Sequence, residues 1–212
     1  KVLFALQTGL RVGEHLALKV YDPKNPLEGG MDFETHQVFV RTAVKRTKKH
    51  ADAFIGKPKS EKGIRTLSVT PALSAMLEEE YKNLPDFRKA EGWVFPSEHG
   101  TRCLNCHWRV RILYRAYEAT GLPRKHRPTW HSLRHAYATA LLTKRGGDFI
   151  RCMELMGHAD MKTTLIYKHI VHDPERDQAE AAAVASGQGL TINAPEGDGP
   201  GSNVVPLKRK AA

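Results

Sequence analysis

Apolar residues recur every three or four positions through most of this chain, which is the spacing of helices packed on one side. This pattern predicts helices over residues 2–6, 11–18, 70–83, 103–120, 149–156 and 160–169. Gly9 breaks the first helix, Pro71 suits the first turn of the third, and Gly157 suits a helix C-terminus. Asp160 is a suitable N-cap for the last helix, which carries Tyr167.

A further helix begins near His131 and carries an apolar stripe at positions i, i+3, i+4, i+7 and i+8. The stripe consists of Leu133, Ala136, Tyr137, Ala140 and Leu141. It predicts that one face is fixed to a core, with His131 opposite the stripe and Arg134 at its edge. Because these two residues are three positions apart, they are neighbours on the helix surface. We expect both side chains to face a cleft from a rigid element.

The first half of the chain also contains stretches with the twofold alternation of strands. Residues 37–44 and 64–69 are predicted strands, with 53–56 as a middle strand and 57–63 as a turn. Residues 22–30 are rich in proline and glycine and are predicted to form a loop. The expected fold class is therefore α+β, mainly α-helical, with a small three-stranded antiparallel sheet.

The domain organisation follows from where the apolar pattern stops. A chain of 212 residues can bury one substantial core, which we place in residues 1–172. Residues 173–186 are rich in alanine and are predicted to form a helical extension, whereas residues 187–212 are rich in glycine and are predicted to be disordered. The first residue is Lys1 rather than methionine, so we expect the chain to be a fragment that lacks an N-terminal part.

The charge balance favours a polyanionic partner. Lys and Arg number 33 against 23 Asp and Glu, which gives a formal net charge of +10. Nucleic acid is the simplest partner for so basic a chain, and the alternative is that the excess charge only aids solubility. Because no apolar run is long enough for a membrane span and no signal peptide is present, we expect no membrane partner.

The basic residues concentrate in two places that are candidate DNA-binding surfaces. Nine Lys or Arg and two acids lie between Arg41 and Arg65, which is either a solvated face or a surface along a phosphate backbone. The second surface is the outer face of the helix over 103–120, whose inner face consists of Val110, Leu113, Tyr114 and Tyr117. The candidate DNA-binding residues are Lys57, Lys62, Arg65, Arg109, Arg111, Arg115 and Arg127.

Three cysteines are an odd number in a chain that needs no disulfides, which favours a reducing, cytoplasmic location. Cys103, Cys106 and His107 resemble half of a zinc site. Because no second pair stands at ligand spacing, we expect no metal and no other cofactor. Cys152 falls in a helical apolar pattern and is expected in the core.

A set of residues suited to phosphodiester chemistry is spread over the chain. Guanidinium groups clamp two phosphate oxygens at once, a tyrosine near cations becomes a nucleophile, and imidazole or lysine transfers protons. The candidates are Arg11, Lys59, His131, Arg134, His158 and Tyr167. Each also has a structural interpretation on its own: a surface cation, a helix cap, a core aromatic or one of many lysines. Their joint pattern favours a common site.

Three blocks of this sequence resemble signatures of the tyrosine recombinases, the phage-integrase family. The first is Thr8-Gly-Leu-Arg11-Val-Gly-Glu14-His-Leu-Ala-Leu18, and the second is His131-Ser-Leu-Arg134-His135-Ala-Tyr-Ala-Thr139. The third combines Leu155-Met-Gly-His158 with Thr163-Thr-Leu-Ile-Tyr167. The resemblance covers residues 3–169 and implies the catalytic-domain fold of that family, with its N-terminal core-binding domain absent here.

The resemblance implies a role for each candidate. Tyr167 would attack DNA to form a 3′-phosphotyrosyl link and release a 5′-hydroxyl. Arg11, Arg134 and His158 would stabilise the transition state, His131 would assist proton transfer, and Glu14 would support Arg11. The lysine of the turn matches best at Lys59, with Lys57 as the alternative. Two departures from the family pattern are Met156 in place of a leucine and Leu67-Ser68-Val69 where a proline usually follows the strand.

The family also implies partners and energetics. Two DNA sites would be held by a homotetramer, with the extension over 173–186 packed on a neighbouring protomer, although this fragment alone can be monomeric. One phosphodiester would be exchanged for another, so neither ATP nor a metal would be needed. The alternatives are a type IB topoisomerase-like activity, a DNA-binding module with a decayed site, and a metal-dependent nuclease that uses Cys103 and Cys106.

Overall fold

The computed structural model describes residues 1–46, 53–103, 113–121, 123, 127–144, 148–168, 178 and 182. The chain divides into two compact units, Lys1–Val171 and His172–Ala212. Gln178 and Ala182 are the described residues of the second unit, and both are helical and exposed. The rest of the predicted extension and tail lies outside the described residues. None of the described helices is long and apolar enough to span a membrane.

The described residues form eight α-helices, most of them where the apolar spacing predicts. The helices are α1 Val2–Thr8, α2 Val12–Leu16, α3 Pro71–Lys82, α4 Asp86–Lys89, α5 Arg115–Ala119, α6 Trp130–Lys144, α7 Phe149–Met156 and α8 Lys162–Leu165. A short 3-10 helix covers Glu61–Gly63. Side-chain caps fix two of the starts, because Thr70 accepts a hydrogen bond from the Leu73 N–H and Asp148 accepts one from the Arg151 N–H.

Helix α8 is shorter than predicted. Asp160 accepts a hydrogen bond from the Lys162 N–H at 2.9 Å, so its carboxylate supports the helix start from two residues before it. The helix then ends at Leu165, and Tyr167 follows it in a turn rather than lying on it. The expectation that the last helix carries Tyr167 is therefore wrong.

Five strands in the described part of the chain form two separate antiparallel sheets. They are β1 Gly30–Asp32, β2 Gln37–Val40, β3 Ala43–Arg46, β4 Ala53–Gly56 and β5 Arg65–Ser68. The three-stranded sheet has the order β1-β2-β5, with Val38 opposite both Met31 and Leu67. Strands β3 and β4 pair with each other in a two-stranded sheet.

The structure confirms a three-stranded antiparallel sheet but corrects its membership. The predicted strand over 37–44 breaks after Val40, where the Arg41 guanidinium bonds the Arg65 carbonyl and the Thr42 hydroxyl bonds the Glu28 carbonyl. Strand β4 pairs with β3 instead of lying in the middle, and its Phe54 and Ile55 are exposed. The third strand is β1, which begins at the end of the stretch predicted as a loop.

The core forms between the three-stranded sheet and the helices that cover one of its faces. Its fully buried members are Phe4, Leu10, Met31, Val38, Leu67 and Leu77. Burial alternates along the strands: Val38 and Val40 are the buried positions of β2, and Leu67 is the buried position of β5. These strands therefore place one set of side chains in the core and the other outside it. Helices α1 and α3 supply the opposite side of this core. The chain between α1 and α2 is thereby anchored next to the sheet.

Helix α6 packs against α1 and α7 with a face that is shifted from the predicted apolar stripe, of which Leu133 is buried and Tyr137 and Leu141 are partly buried. The buried positions are Leu133, Arg134, Ala138 and Leu142, whereas Ala136 and Ala140 are exposed. Arg134 therefore lies within the buried face and not at its edge. Small alanines carry little apolar surface, so the larger side chains and the polar partners of Arg134 decide the orientation.

The described part of the helix over 103–120 also differs in one inward position. Leu113 and Tyr117 are buried as predicted, whereas Tyr114 is 38% exposed. Val110 lies outside the described residues. Tyr114 lies directly before α5, which has only five residues. Near so short a helix, a small change in helix phase is enough to turn a side chain from the core to solvent.

Gly9 brings α1 and α6 into close contact. It ends α1 with φ of 56°, a left-handed conformation that glycine adopts without strain. A Cβ atom at Gly9 would lie 2.2 Å from Cδ1 of Tyr137 on α6. The missing side chain therefore permits both the turn and the helix contact.

We predict that Gly9→Ala lowers the free energy of unfolding much more than Gly92→Ala does. Gly92 also has a positive φ, of 73°, but a Cβ there would meet nothing within 4 Å. The free energy of unfolding should fall by about 1 kcal/mol in Gly92→Ala because of backbone strain. In Gly9→Ala it should fall by roughly a further 1–3 kcal/mol because the new Cβ overlaps with Tyr137. Urea denaturation of both variants measures the difference, and equal losses would contradict the packing role of Gly9.

Candidate active site

A buried carboxylate, Glu14, holds two arginines at the start of α2. Its side chain is 2% exposed and forms ion pairs with Arg11 at 3.0 Å and with Arg65 at 2.9 Å. The Oε2 atom that pairs with Arg65 also accepts a hydrogen bond from the backbone N–H of Arg11 at 2.8 Å. Burial alone would raise the pKa of Glu14, but Arg65 and then Arg11 outweigh it and hold that pKa below its ordinary value. The carboxylate is therefore ionised and fixes the direction of both guanidinium groups.

Arg65 joins this carboxylate to two other segments. Its Nε donates to the Leu155 carbonyl at 2.7 Å and its Nη1 donates to the Gly63 carbonyl at 2.9 Å. Its side chain is 7% exposed. Strand β5, the turn before it and the end of α7 are thus held together by one guanidinium group. The expectation that Arg65 contacts DNA does not fit this buried, fully engaged placement.

Arg134 is almost completely buried between the ends of two helices. Its guanidinium donates to the Gly9 carbonyl, which ends α1, and to the Met156 carbonyl, which ends α7. Burial, followed by repulsion from Arg11, lowers the pKa of Arg134 to about 10, so it stays charged at neutral pH. Arg11 donates to the next carbonyl of the same turn, Gly157, at 2.9 Å. The two predicted clamp arginines therefore converge on one place.

His158 follows directly and is held by the start of the last helix. Its Nδ1 lies 2.9 Å from the Thr164 hydroxyl, and both residues are buried. Burial and then the positive charges of Arg134, Arg11 and Arg65 lower the pKa of His158 to about 4. The imidazole is therefore neutral at physiological pH and can donate only one N–H.

Tyr167 reaches the same region from the turn after α8. Its ring is 5% exposed and packs with Ala138, Leu142, Cys152 and Met156. Its hydroxyl forms a short hydrogen bond with Nδ1 of His135 on α6. Burial raises the pKa of Tyr167, and the charge of Arg134 opposes that rise. The packing matches the structural interpretation of Tyr167 as a core aromatic, but the hydroxyl is directed at a proton acceptor.

The two remaining candidates lie at the border of this cluster. His131 is exposed one turn before His135, with ring centroids 4.3 Å apart and the rings nearly perpendicular. Lys59 is exposed in the turn between β4 and β5, and within the described residues its ammonium group forms no hydrogen bond or ion pair. The same turn approaches the cluster closely, because a Cβ at Gly157 would lie 2.9 Å from the Lys62 carbonyl.

The six candidate DNA-binding residues other than Arg65 fall into three groups. Lys57, Lys62 and Arg115 are exposed, as expected for contacts with a phosphate backbone. Arg127 is partly buried, with its guanidinium 5.7 Å from the Tyr117 ring centroid. Two further candidates, Arg109 and Arg111, lie outside the described residues.

The zinc interpretation involves three residues. Cys106 and His107 lie outside the described residues, and Cys103 is buried. Among the residues that the structure describes, no cluster of three or more His, Cys, Asp or Glu could hold a metal ion.

Three residues of the site were missed by the sequence analysis. The sequence predicts Arg65 as a DNA-binding residue, and Thr164 and His135 are not among the predicted site residues although both stand inside the quoted motifs. Their positions next to functional candidates were the available signal: His135 follows Arg134, and Thr164 precedes Tyr167 by three residues. Chemically, the whole arrangement offers fixed positive charge, a neutral imidazole donor and a phenol with an adjacent base.

The chain is similar to known proteins over most of its length. The model of the phage integrase family matches residues 2–173. Tyrosine recombinase XerD of Listeria monocytogenes serotype 4b (strain F2365) is 32% identical over 171 residues, which are 80% of this chain and 48% of that protein. Tyrosine recombinase XerC of Nitrobacter winogradskyi is 32% identical over 169 residues, 80% of this chain and 44% of that protein. The chain thus spans about half the length of the curated relatives it matches.

Solved structures share the fold. The Tn1549 transposon integrase in complex with a circular intermediate DNA gives a TM-score of 0.65 at 22% identity, covering 87% of this chain and 57% of that one. The XerH site-specific recombinase bound to difH substrate gives a TM-score of 0.56 at 22% identity, covering 86% of this chain and 45% of that one. These likenesses confirm the predicted fold class.

We predict that Glu14→Gln destabilises the chain far more than Glu154→Gln. Both carboxylates pair with an arginine at 2.9 Å, but the Glu154 pair is about half exposed on each side. Removing one partner of a buried pair costs about 3–5 kcal/mol, against less than about 1 kcal/mol at the surface. Denaturant unfolding of the two variants gives the comparison. Similar small losses would show that Glu14 does not organise its arginines.

We also predict that His158 makes stability depend on pH. Its pKa falls from the ordinary 6.5 to about 4 on folding, so between these values the unfolded chain binds more protons. Stability should therefore rise from pH 4 to pH 6.5, with up to about 3 kcal/mol due to His158. Unfolding of His158→Gln should show a shallower slope than wild type, while His99→Gln, at an exposed histidine, should not. Parallel slopes in all three would contradict the burial of a neutral His158.

Proposed function

This chain belongs to the phage integrase family of tyrosine recombinases, and on that premise we propose that it is the catalytic part of a site-specific DNA recombinase or integrase. The reaction would cut and rejoin DNA strands through a 3′-phosphotyrosyl intermediate. One observation carries the proposal. Arg134 bonds the carbonyls of Gly9 and Met156, next to Arg11 and His158, and its charge acts on Tyr167.

The cleavage step assigns each group one task. The Tyr167 oxygen attacks the phosphorus as its proton passes to the histidines of α6, the bond from phosphorus to the 5′ oxygen breaks, and Lys59 protonates the leaving oxygen. Arg11, Arg134 and His158 stabilise the charge on the non-bridging oxygens, for which planar guanidinium groups are suited. Rejoining reverses these steps with the 5′-hydroxyl of another strand. His131 assists the proton transfers from the border of the site.

Two supporting contacts prepare this clamp. Glu14 holds Arg11 through its guanidinium and its backbone N–H, so the donor is oriented before DNA arrives. The Thr164 hydroxyl bonds Nδ1 of His158, and when it donates there, the remaining imidazole proton is on Nε2. A neutral His158 then directs its single N–H at the phosphate. Both contacts lower the reorganisation required in the transition state.

The position of Tyr167 implies a rearrangement on DNA binding. Its hydroxyl is directed at His135, and its ring is buried against α6 and α7. In-line attack requires the phenol to face the phosphate held by Arg11 and Arg134. We propose that residues 166–168, which follow α8, shift when DNA binds, so that the phenolic oxygen reaches the phosphate while its hydroxyl keeps the hydrogen bond to His135.

The proposal extends to the substrate, the assembly and the location of the protein. The partner would be double-stranded DNA, bound in part through Lys57 and Lys62 on the first basic surface and through Arg109, Arg111, Arg115 and Arg127 on the second. A homotetramer would hold two sites, with the extension over 173–186 packed on a neighbour. Bond energy is conserved in the exchange, so we propose a reaction without metal or ATP. The protein would act in the cytoplasm, at the nucleoid of a bacterium.

We predict that the chain forms a covalent adduct with nicked duplex DNA and that Tyr167→Phe abolishes it. The probe is a pool of duplexes with randomised sequence around one nick, which traps cleavage because the short 5′ fragment diffuses away. Denaturing electrophoresis after incubation separates the adduct. Tyr81→Phe is the control, since it removes a hydroxyl on α3 that donates to the Lys89 carbonyl, outside the site.

Two results would contradict the proposed function. One is strand breakage that leaves protein on neither end, and the other is an adduct that persists in Tyr167→Phe. The adduct should form equally in the presence of a chelator, whereas loss of activity with the chelator would favour a metal-dependent nuclease.

A further inference from the structure

We propose that His135 is a catalytic residue that accepts the proton of the Tyr167 hydroxyl when this oxygen attacks DNA. The inference rests on the proposed function. The family resemblance implies His131 as the residue that assists proton transfer, whereas His135 is the residue that contacts the Tyr167 hydroxyl in this structure.

The geometry places His135 in direct contact with the nucleophile. Its Nδ1 is hydrogen-bonded to the Tyr167 hydroxyl, and the two ring centroids are 5.4 Å apart. His135 is on α6, a helix of 15 residues, directly after Arg134. A proton acceptor on a rigid helix keeps its position relative to the clamp. A phenol bonded to His135 therefore stays within the field of the guanidinium that acts on the phosphate.

His131 is placed differently. It is exposed, and its ring meets the edge of the His135 ring at 4.3 Å between centroids. Among the described residues, the hydrogen bond of the Tyr167 hydroxyl goes to His135. His131 is thus one ring further from the phenolic oxygen, next to solvent. That position suits a group that passes on a proton rather than the one that first receives it.

The charges around His135 keep its imidazole neutral. The titratable groups that face it are His131 and Arg134 on α6, His158 after α7 and Tyr167 after α8. Burial and then His131 and Arg134 lower the pKa of His135. At neutral pH the imidazole therefore carries one proton, and with that proton on Nε2 its Nδ1 accepts the hydrogen bond from the Tyr167 hydroxyl and can take its proton. The same neighbours make the imidazolium short-lived, which favours return of the proton in the rejoining step.

The proposed step balances without an added reactant. As the bond from the Tyr167 oxygen to phosphorus forms, the phenolic proton moves to Nδ1 of His135. The bond from phosphorus to the 5′ oxygen breaks, and that oxygen takes a proton from the acid, which we place at Lys59. In rejoining, the phosphotyrosyl bond breaks and the imidazolium returns its proton to the phenolate.

The test compares His135→Gln with wild type on the nicked duplex pool. Glutamine keeps an oxygen that can accept the phenol hydrogen bond, but it is not basic, so it retains a purely structural contact and removes proton transfer. We expect adduct formation to slow by about 100-fold or more. Thermal unfolding of the variant checks that it folds, and His135→Asn provides a second non-basic acceptor.

A second substrate separates the base from the acid. In duplexes with a 5′-bridging sulfur at the cleaved phosphate, the leaving thiolate needs no proton. The defect of His135→Gln should persist on this substrate, whereas that of Lys59→Ala should largely disappear. Rescue of His135→Gln by the sulfur would overturn the proposal, because it would place His135 on the acid side.

A readout without DNA tests the hydrogen bond itself. Nitrogen NMR of the imidazoles should show His135 with unprotonated Nδ1, and Tyr167→Phe should raise the pKa of His135 because the bond favours its neutral form. The exposed His99 should not respond. An unchanged His135 titration, or wild-type or faster cleavage by His135→Gln, would overturn the proposal and leave the proposed function intact. A wild-type chain that forms no adduct would overturn both.

Discussion

The site depends on the buried Glu14 carboxylate. An ionised group with 2% of its side chain exposed is stable only when its hydrogen-bond capacity is filled, and Arg11 and Arg65 fill it here. Since Arg65 also holds the carbonyls of Gly63 and Leu155, the ion pair links three segments that are distant in sequence. Any shift of one segment would leave charge unpaired in the interior. The positions of the clamp and of the turn that carries Lys59 are therefore coupled.

The clamp gathers positive charge, and helix ends compensate for part of it. Arg134 and Arg11 donate to carbonyls at the C-terminal ends of α1 and α7, where the helix dipole is negative. These carbonyls lack intrahelical partners, so the guanidinium groups satisfy them. Gly9 and Gly157 end the two helices in left-handed conformations, where a Cβ would meet Tyr137 in the first case and the Lys62 carbonyl and the Arg65 guanidinium in the second. Charge is thereby held in the interior without a carboxylate for each arginine, and part of it stays available to a phosphate.

Local patterns in the sequence predicted most of the helices and brought together the motif residues. The helix starts at Thr70 and Asp148 and the end at Gly157 follow from capping within a few residues, which sequence alone contains. Local patterns could not predict which strands form the three-stranded sheet. Strand β1 has only three residues, and tertiary packing alone selects β2 as its partner. The buried face of α6 was missed for a related reason: Arg134 is polar, and its interior partners are backbone carbonyls that no side-chain pattern reveals.

Among the site residues, identity was easier to predict than environment. Arg65 is one of nine basic residues in its stretch, and only the fold distinguishes a buried ion pair from a surface cation. For Tyr167, too, the environment decides a property that the residue type does not, namely the pKa of the nucleophile. Arg134 alone would lower the pKa of the phenol and favour a preformed phenolate, but burial is the larger effect and raises it. The nucleophile is consequently protonated at neutral pH, so attack must be coupled to proton removal, and a basic group must contact the hydroxyl at that moment.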